Sequence, residues 1–291
     1  MSAKIQWKTL LKLAVKITIM LVAFWWISKK ISWPETWSIL SKSNPVLVAA
    51  AFVFFNASKV LSAWRLNRFW QAIAVKIDPV KNLKLYYIGM YYNLFLPGGI
   101  GGDGYKIWLL RSEDSASTKN LSIAVIVDRF SGVIPLIFFA IVLIWLSDAK
   151  TVFQPWISIG ISLAFLPLYF VVYWFLGKIH QGVQGVFHRS IMDGFGVQLL
   201  QVICALFILW SIDAENLLAL LFLFLVSSIV AVLPLTIGGV GAREWVMVSG
   251  SSLFMMDAEP AVALSLIFFA ITAISSFIGA FLSIKKSNST N

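Results

Sequence analysis

Apolar residues fall into long runs separated by short polar segments. The runs are Leu10–Ile27, Pro45–Ser62, Leu121–Leu146, Pro155–Leu176, Phe195–Ile212, Leu217–Leu233 and Ala261–Ile284. Each is close to the ~20 residues that an α-helix needs to cross the hydrocarbon core of a bilayer. The pattern predicts an all-α integral membrane protein with about six to eight transmembrane helices, forming a single polytopic membrane domain over residues 1–291.

Two polar interruptions repeat one sequence pattern. Residues 96–104 read LPGGIGGDG and residues 233–241 read LPLTIGGVG, so both fit L-P-x-x-I-G-G-x-G. The match continues, because Lys106 falls on Arg243 and Trp108 on Trp245. Proline stops a helix and glycine frees its backbone, so each copy predicts a helix break. The residues expected to form the breaks are Pro97, Gly98, Gly99, Gly101, Gly102, Gly104, Pro234, Gly238, Gly239 and Gly241.

Loop charges predict the topology. The positive-inside rule assigns basic segments to the cytoplasm; these are the N-terminus with residues 1–9, the loops 63–84 and 177–193, and the tail 285–291. Acidic loops around Asp213 and Asp257 are assigned to the outside. Lys29, Lys30 and Lys42 depart from this assignment. No small-residue cleavage site follows the first apolar run, so we expect an uncleaved first helix rather than a signal peptide.

The two breaks predict two re-entrant hairpins. Lys81–Leu96 approaches the first break, and the returning piece, Tyr105–Arg111, is too short to span, which predicts a hairpin over residues 81–111 from the cytoplasmic side. A second hairpin over residues 217–254, with Ala242–Phe254 as its return arm, would enter from the outside and give an inverted repeat. Alternatively, Leu217–Leu233 spans the membrane and is followed by a spanning return arm, and charge counting does not separate these arrangements.

Several polar residues lie within apolar runs or at their edges and are the candidate substrate-binding or gating residues. They are Lys59, Asn93, Asp103, Lys106, Asp128, Arg129, Arg243 and Glu244. A charge at mid-membrane costs a few kcal/mol, so such groups usually face the bundle interior and pair. One interpretation is three local ion pairs, Asp103/Lys106, Asp128/Arg129 and Arg243/Glu244, which hold helices in register. The other is a cavity whose surplus positive charge binds an anionic headgroup, since arginine binds phosphate with its planar fork.

Lys59 has two interpretations of its own. It lies in the middle of Pro45–Ser62 without an acidic residue within one helical turn. Its side chain either extends towards the cytoplasmic edge near Arg65 or faces a cavity.

The composition restricts the kinds of function that fit the chain. The chain is 59% hydrophobic and only 12% charged, with about half the charged fraction of a soluble domain. The net charge of +10 sits mostly near predicted membrane edges, which favours headgroup contact over nucleic acid. No phosphate-binding loop with its Gly-Lys-Ser/Thr ending, zinc-ligand spacing or Gly-x-Ser-x-Gly elbow is present. We therefore expect no metal and no cofactor.

The residues of the two breaks also carry a family resemblance. The run Asn93–Asp103, then Asp128-Arg129, then Ile237–Glu244, resembles the lysylphosphatidylglycerol synthase transmembrane-region family. That family includes the membrane part of the bacterial multiple-peptide-resistance flippase–synthases. The resemblance implies a helical membrane fold with re-entrant helices and a role in moving lipids between leaflets. By position, it implies that the charged residues of the two breaks and the Asp128-Arg129 pair are functional.

These observations together predict a lipid flippase or transporter in the bacterial cytoplasmic membrane, with both termini cytoplasmic. Its partners would be membrane lipids, anionic or phosphate-bearing, and a lipid-modifying enzyme. The alternatives are an intramembrane transferase acting on a lipid-linked sugar or amino acid, and an accessory subunit of a lipid-modifying enzyme. Because the chain ends at Asn291 shortly after the last apolar run, we expect no synthase activity.

Overall fold

The computed structural model describes residues 18, 25–95, 101–114, 116–147, 154–232 and 241–282. Within these ranges the fold is built from α-helices and contains no strand, which confirms the predicted all-α class. The helices are α1 (Trp33–Ser41), α2 (Pro45–Ala72), α3 (Pro79–Phe95), α4 (Gly101–Asp114), α5 (Thr118–Leu146), α6 (Pro155–Ile179), α7 (Gln181–Ser211), α8 (Leu217–Val232), α9 (Ala242–Leu253) and α10 (Glu259–Phe281).

Five of these helices are long and apolar enough to cross a membrane, namely α2, α5, α6, α7 and α10. Most of the first predicted run, Leu10–Ile27, lies outside the described residues. Helix starts follow local sequence rules. At α2, for example, the Asn44 side chain accepts a hydrogen bond from the Val46 amide at 3.0 Å, and Pro45 occupies the first turn.

Two predicted basic loops are largely helical. The segment 63–84 was predicted as a loop, but α2 continues to Ala72 and α3 begins at Pro79. The segment 177–193 was also predicted as a loop, but α6 ends at Ile179 and α7 begins at Gln181. In α2 the helix continues through two arginines that have carboxylate partners on neighbouring helices. Arg65 pairs with Asp128 of α5, and Arg68 pairs with Asp193 of α7.

The two halves of the chain repeat one arrangement of helices. Helices α2–α5 and α7–α10 each follow the order long, short, short, long, with the glycine motif between the two short helices. Their packing is repeated as well: α3 lies against α4 and α10, and α8 lies against α9 and α5. The duplicated motif therefore belongs to a larger structural repeat of four helices.

The equivalent helices α2 and α7 run antiparallel. The Asn44 amide at the start of α2 donates to the Ser211 carbonyl at the end of α7, at 2.8 Å. At the opposite end, Gly182 of α7 lies against the Ala72 carbonyl of α2. Since both helices are candidate membrane spans, their opposite directions are the relation that an inverted repeat requires.

The helices beside the breaks are short. α3, α4, α8 and α9 contain 17, 14, 16 and 12 residues, fewer than the ~20 that span a bilayer core. The centres of both breaks lie outside the described residues, including Pro97, Gly98, Gly99, Pro234, Gly238 and Gly239. The short helices fit re-entrant hairpins, and the re-entrant path itself stays a prediction.

Candidate functional site

Asp103 joins the first break to helix α5. It lies in the first turn of α4, where one carboxylate oxygen accepts from Lys106 Nζ at 3.1 Å. The other oxygen accepts from Arg129 Nε of α5 at 2.6 Å. Lys106 also places its ammonium 4.7 Å from the centre of the Tyr86 ring. The expected Asp103/Lys106 ion pair is therefore confirmed, and it is part of a larger network between α4 and α5.

Asn93 stabilises the start of α4 from the preceding helix. Its side-chain oxygen accepts a hydrogen bond from the Gly102 amide at 2.8 Å. The first amides of a helix have no partner within the helix, so this bond satisfies one of them. Gly102 also lies so close to the Gly89 backbone that a Cβ atom at position 102 would overlap it. Asn93 and these two glycines hold α3 and α4 together beside the break.

Asp128 pairs with Arg65 and not with its neighbour Arg129. Arg65 Nε lies 2.8 Å from Asp128 Oδ1, and both residues are buried. The predicted Asp128/Arg129 pair is wrong because consecutive residues on a helix point in different directions. Arg65 lies within the segment 63–84 that was predicted as a loop. The signal that was available is the spacing of Lys59, Ser62 and Arg65, which places three polar residues on one face of α2.

Glu244 caps the N-terminus of α9 with its side chain. Its two oxygens accept from the Gly241 amide at 2.7 Å and from Ser265 Oγ of α10 at 2.7 Å. Gly241 has φ 86°, a left-handed conformation that glycine adopts without steric cost. The expected Arg243/Glu244 ion pair is not formed, because Glu244 turns towards these two donors. Glu244 thus anchors the second break to α10.

A cavity of about 230 Å³ lies between the two halves. Helices α2, α3 and α5 of the first half and α7, α8 and α9 of the second supply its wall. The lining residues are Lys59, Ser62, Arg65, Tyr86, Arg129, Gly132, Val133, Leu136, Val197, Gln198, Gln201, Ser228, Val232 and Arg243. Four of them are cations, and no Asp or Glu is among them.

Two of the four cations have no carboxylate partner among the described residues. Arg65 and Arg129 are paired with Asp128 and Asp103, whereas Lys59 and Arg243 form no salt bridge within that part of the chain. Instead, each lies over an aromatic ring. Lys59 Nζ is 4.4 Å from the centre of the Phe55 ring, and the Arg243 guanidinium is 4.9 Å from that of Phe268. Since Lys59 is also one of the lining residues, its side chain faces the cavity.

Three residues of the wall also carry a buried polar atom without a hydrogen-bond partner. The atoms are Arg65 Nη1, Gln198 Oε1 and Ser228 Oγ. Buried polar groups are nearly always hydrogen-bonded, and exceptions often mark a place where a ligand or water binds. Three such atoms around one cationic cavity make it the candidate binding site.

The family model described as "Lysylphosphatidylglycerol synthase TM region" matches residues 13–279. The chain belongs to this family. It is therefore a multi-pass membrane protein whose family membership indicates a function related to membrane lipids. No curated protein matches the chain.

In this member of the lysylphosphatidylglycerol synthase TM family, the predicted site residues divide into two groups. Lys59, Arg129 and Arg243 line the cavity. The other five are not among the lining residues, and they hold neighbouring helices or helix ends in place; they are Asn93, Asp103, Lys106, Asp128 and Glu244.

Six polar residues of the wall were not among the site residues predicted from the sequence. They are Ser62, Arg65, Tyr86, Gln198, Gln201 and Ser228. The spacing of Gln198 and Gln201 on one face of α7 was an available signal, whereas a lone serine such as Ser228 in an apolar helix carries none. Among the described residues, no group of His, Cys, Asp and Glu is placed to hold a metal ion.

Proposed function

We propose that this protein moves an anionic phospholipid between the leaflets of the bacterial cytoplasmic membrane, and that the cavity between the two halves binds the phosphate-bearing headgroup. The observation that carries the proposal is the cavity itself, with four cations in its wall and three unpaired polar atoms around it. Family membership supports a lipid as the substrate.

The charges in and behind the wall favour an anion. Five cations are close to the cavity, namely Lys59, Arg65, Lys106, Arg129 and Arg243, against the three carboxylates Asp103, Asp128 and Glu244. A surplus of positive charge at membrane depth is costly unless something neutralises it. A lipid phosphate supplies that negative charge, and an arginine fork binds it through two parallel hydrogen bonds.

The position of the cavity supports movement across the membrane. Lys59 and Arg65 come from the first half, whereas Arg243 comes from the second. In transporters built from inverted repeats, substrates bind where the repeats meet, and rocking of one repeat against the other alternates access between the two sides. A headgroup held by cations from both halves would pass from one side to the other in the same way.

Replacement of Arg243 by glutamine tests this function. The purified protein is reconstituted into vesicles that contain phosphatidylglycerol with a fluorescent acyl chain, and an impermeant quencher reports the fraction of the lipid in the outer leaflet. Loss of a charged hydrogen bond costs about 1.5–3 kcal/mol, so Arg243→Gln should slow lipid exchange by about tenfold or more.

The matched control is Arg111→Gln, because Arg111 is an exposed arginine in the last turn of α4. It should exchange lipid at the wild-type rate. Lys59→Gln, with the exposed Lys76→Gln as its control, repeats the test from the first half. Wild-type exchange in both cavity variants, at unchanged thermal stability, would refute the site, and no exchange by the wild-type protein would refute the function.

A further inference from the structure

The unpaired polar atoms of the cavity indicate which chemical groups its ligand carries, beyond the negative charge that the cationic wall requires. We infer that the headgroup bound here carries a phosphodiester and free hydroxyl groups and lacks an amine, as a glycerol or sugar phosphate headgroup does. This inference rests on the proposed function. Its basis is that the cavity offers both an unpaired donor and an unpaired acceptor, and that the charged residues of its wall, within the part of the chain that the structure describes, are all cations.

The donor and the acceptor need different partners. Arg65 Nη1 can only donate, so its partner is an acceptor such as a phosphate oxygen. Gln198 Oε1 can only accept, so its partner must carry an O–H or N–H group. An ionised phosphodiester has no hydrogen to donate. A phosphate by itself therefore satisfies Arg65 and leaves Gln198 unsatisfied, whereas Ser228 Oγ pairs with either kind of group.

The orientation of the Gln198 amide follows from its neighbour. Gln198 Nε2 faces the Gly132 carbonyl at 3.5 Å. Turning the amide over would bring two oxygens together, so the hydrogen-bond network assigns Nε2 to this side and Oε1 to the other. The acceptor at this position is thus set by the backbone of α5.

The wall disfavours an amine as the missing donor. An ammonium group would stand among Lys59, Arg65, Arg129 and Arg243 without a carboxylate in the wall. The carboxylates behind it already accept hydrogen bonds from protein donors. The adjoining break segments, residues 96–100 and 233–240, contain no Asp or Glu. Like charges brought together out of water repel strongly. A hydroxyl group donates to Gln198 without that penalty.

The cavity does not suit the lipid for which the family is named. Lysylphosphatidylglycerol carries two ammonium groups on its lysyl ester, and the same glycerol phosphodiester without lysine carries hydroxyl groups. The cavity is therefore expected to accept phosphatidylglycerol and to disfavour its lysylated form.

Three lipids with the same fluorescent acyl chain test the inference in the exchange assay. Phosphatidylglycerol has the phosphate and the hydroxyls, phosphatidylpropanol has the phosphate without hydroxyls, and lysylphosphatidylglycerol adds amines. Since one hydrogen bond contributes about 1 kcal/mol, phosphatidylglycerol should exchange about fivefold faster than phosphatidylpropanol. Lysylphosphatidylglycerol should be the slowest, by at least about tenfold. Uptake of radiolabelled glycerol phosphate is measured in the same vesicles to separate a soluble substrate from a lipid.

Two variants of Gln198 test whether this residue determines which lipid is exchanged faster. Gln198→Leu removes the acceptor and should reduce the phosphatidylglycerol rate to that of phosphatidylpropanol; the exposed Gln71→Leu should leave both rates unchanged. Gln198→Glu adds a carboxylate and should raise the rate for lysylphosphatidylglycerol relative to phosphatidylglycerol.

The possible outcomes distinguish a failure of the inference from a failure of the proposed function. Equal rates for phosphatidylglycerol and phosphatidylpropanol, or faster exchange of the lysylated lipid, would overturn the inference while leaving lipid movement in place. Uptake of glycerol phosphate without lipid exchange, or no exchange of any lipid, would overturn both. If Gln198→Leu does not fold, the affinities of the wild-type protein for the same three lipids are ranked instead. Each affinity is measured from the rise in unfolding temperature that the lipid causes.

Discussion

Replacement of Gly102 by alanine tests the close contact on which the first break depends. Gly102 is buried in the first turn of α4, and its backbone touches that of Gly89 in α3. An added Cβ atom would overlap the Gly89 carbonyl group. Both groups belong to the backbone, so no side chain can rotate to relieve the overlap. The two helices would have to separate.

The size of the effect follows from that rigidity. Extra methyl groups in a packed core usually cost 1–3 kcal/mol when side chains absorb the strain. Backbone against backbone places Gly102→Ala at the upper end, at about 3 kcal/mol. Separation would also stretch the hydrogen bond from the Gly102 amide to Asn93 and displace Asp103 from its partners. We therefore expect lower stability and slower lipid exchange together.

Gly104 provides the matched control. It lies two residues further along the same helix turn, is exposed, and has no neighbouring atom near the position of an added Cβ. Alanine there should leave the stability unchanged or raise it by up to about 1 kcal/mol, because alanine is the better helix former.

Thermal unfolding in detergent, followed by circular dichroism, measures both variants. At about 2 °C per kcal/mol for a chain of this length, Gly102→Ala should unfold ~6 °C below the wild type, and Gly104→Ala at or above it. Equal unfolding temperatures for the two variants would show that α3 and α4 are not in close contact at the break.

Three further predictions concern the support of the site and the topology. Asp103→Asn breaks a buried ion network, at a cost of about 3–5 kcal/mol; an unchanged unfolding temperature would contradict a structural role. Glu244→Gln loses one of two accepted hydrogen bonds and should cost about 1–2 kcal/mol, with lipid exchange per folded molecule retained; exchange lost at full stability would instead give Glu244 a direct role. Thr118 and Asp257 are exposed, and each can be replaced by a single cysteine in a chain whose buried Cys204 is serine. The two cysteines should react with an impermeant maleimide from opposite sides of the membrane. Labelling of both from one side would contradict the opposed hairpins.

Helix positions were predictable where the signal was local. The expected return arm Ala242–Phe254 is observed as Ala242–Leu253, and the expected run Leu121–Leu146 as Thr118–Leu146. Prolines at helix starts and runs of apolar residues act over a few residues, so they are visible without knowledge of the fold. Prediction was poorest where charges occur inside a helix. The second apolar run was predicted to end at Ser62, before the arginines Arg65 and Arg68, although α2 continues to Ala72.

The Asp103/Lys106 pair within one helix was predictable, but the pairing of charges between helices was not. Asp128 has Arg129 beside it in the chain, but it pairs with Arg65, which is 63 positions away. Lys106 and Arg243 occupy equivalent positions of the duplicated motif, yet Lys106 pairs with Asp103 and Arg243 faces the cavity. The first copy has an aspartate at a position where the second has Val240. That difference was visible in the sequence, but its consequence for the two cations depends on which helices meet.

The amino-acid pattern was enough to predict a helical membrane protein with two copies of a helix-breaking motif, because hydrophobicity, helix-breaking residues and loop charge act locally. Which polar residues share a cavity depended on the tertiary structure. Lys59, Arg65 and Arg243 meet there because α2 and α7 pack antiparallel and bring the two halves together, an arrangement set by contacts between residues far apart in the chain. The duplicated motif marks where each half is interrupted, and the packing of the halves creates the site between them.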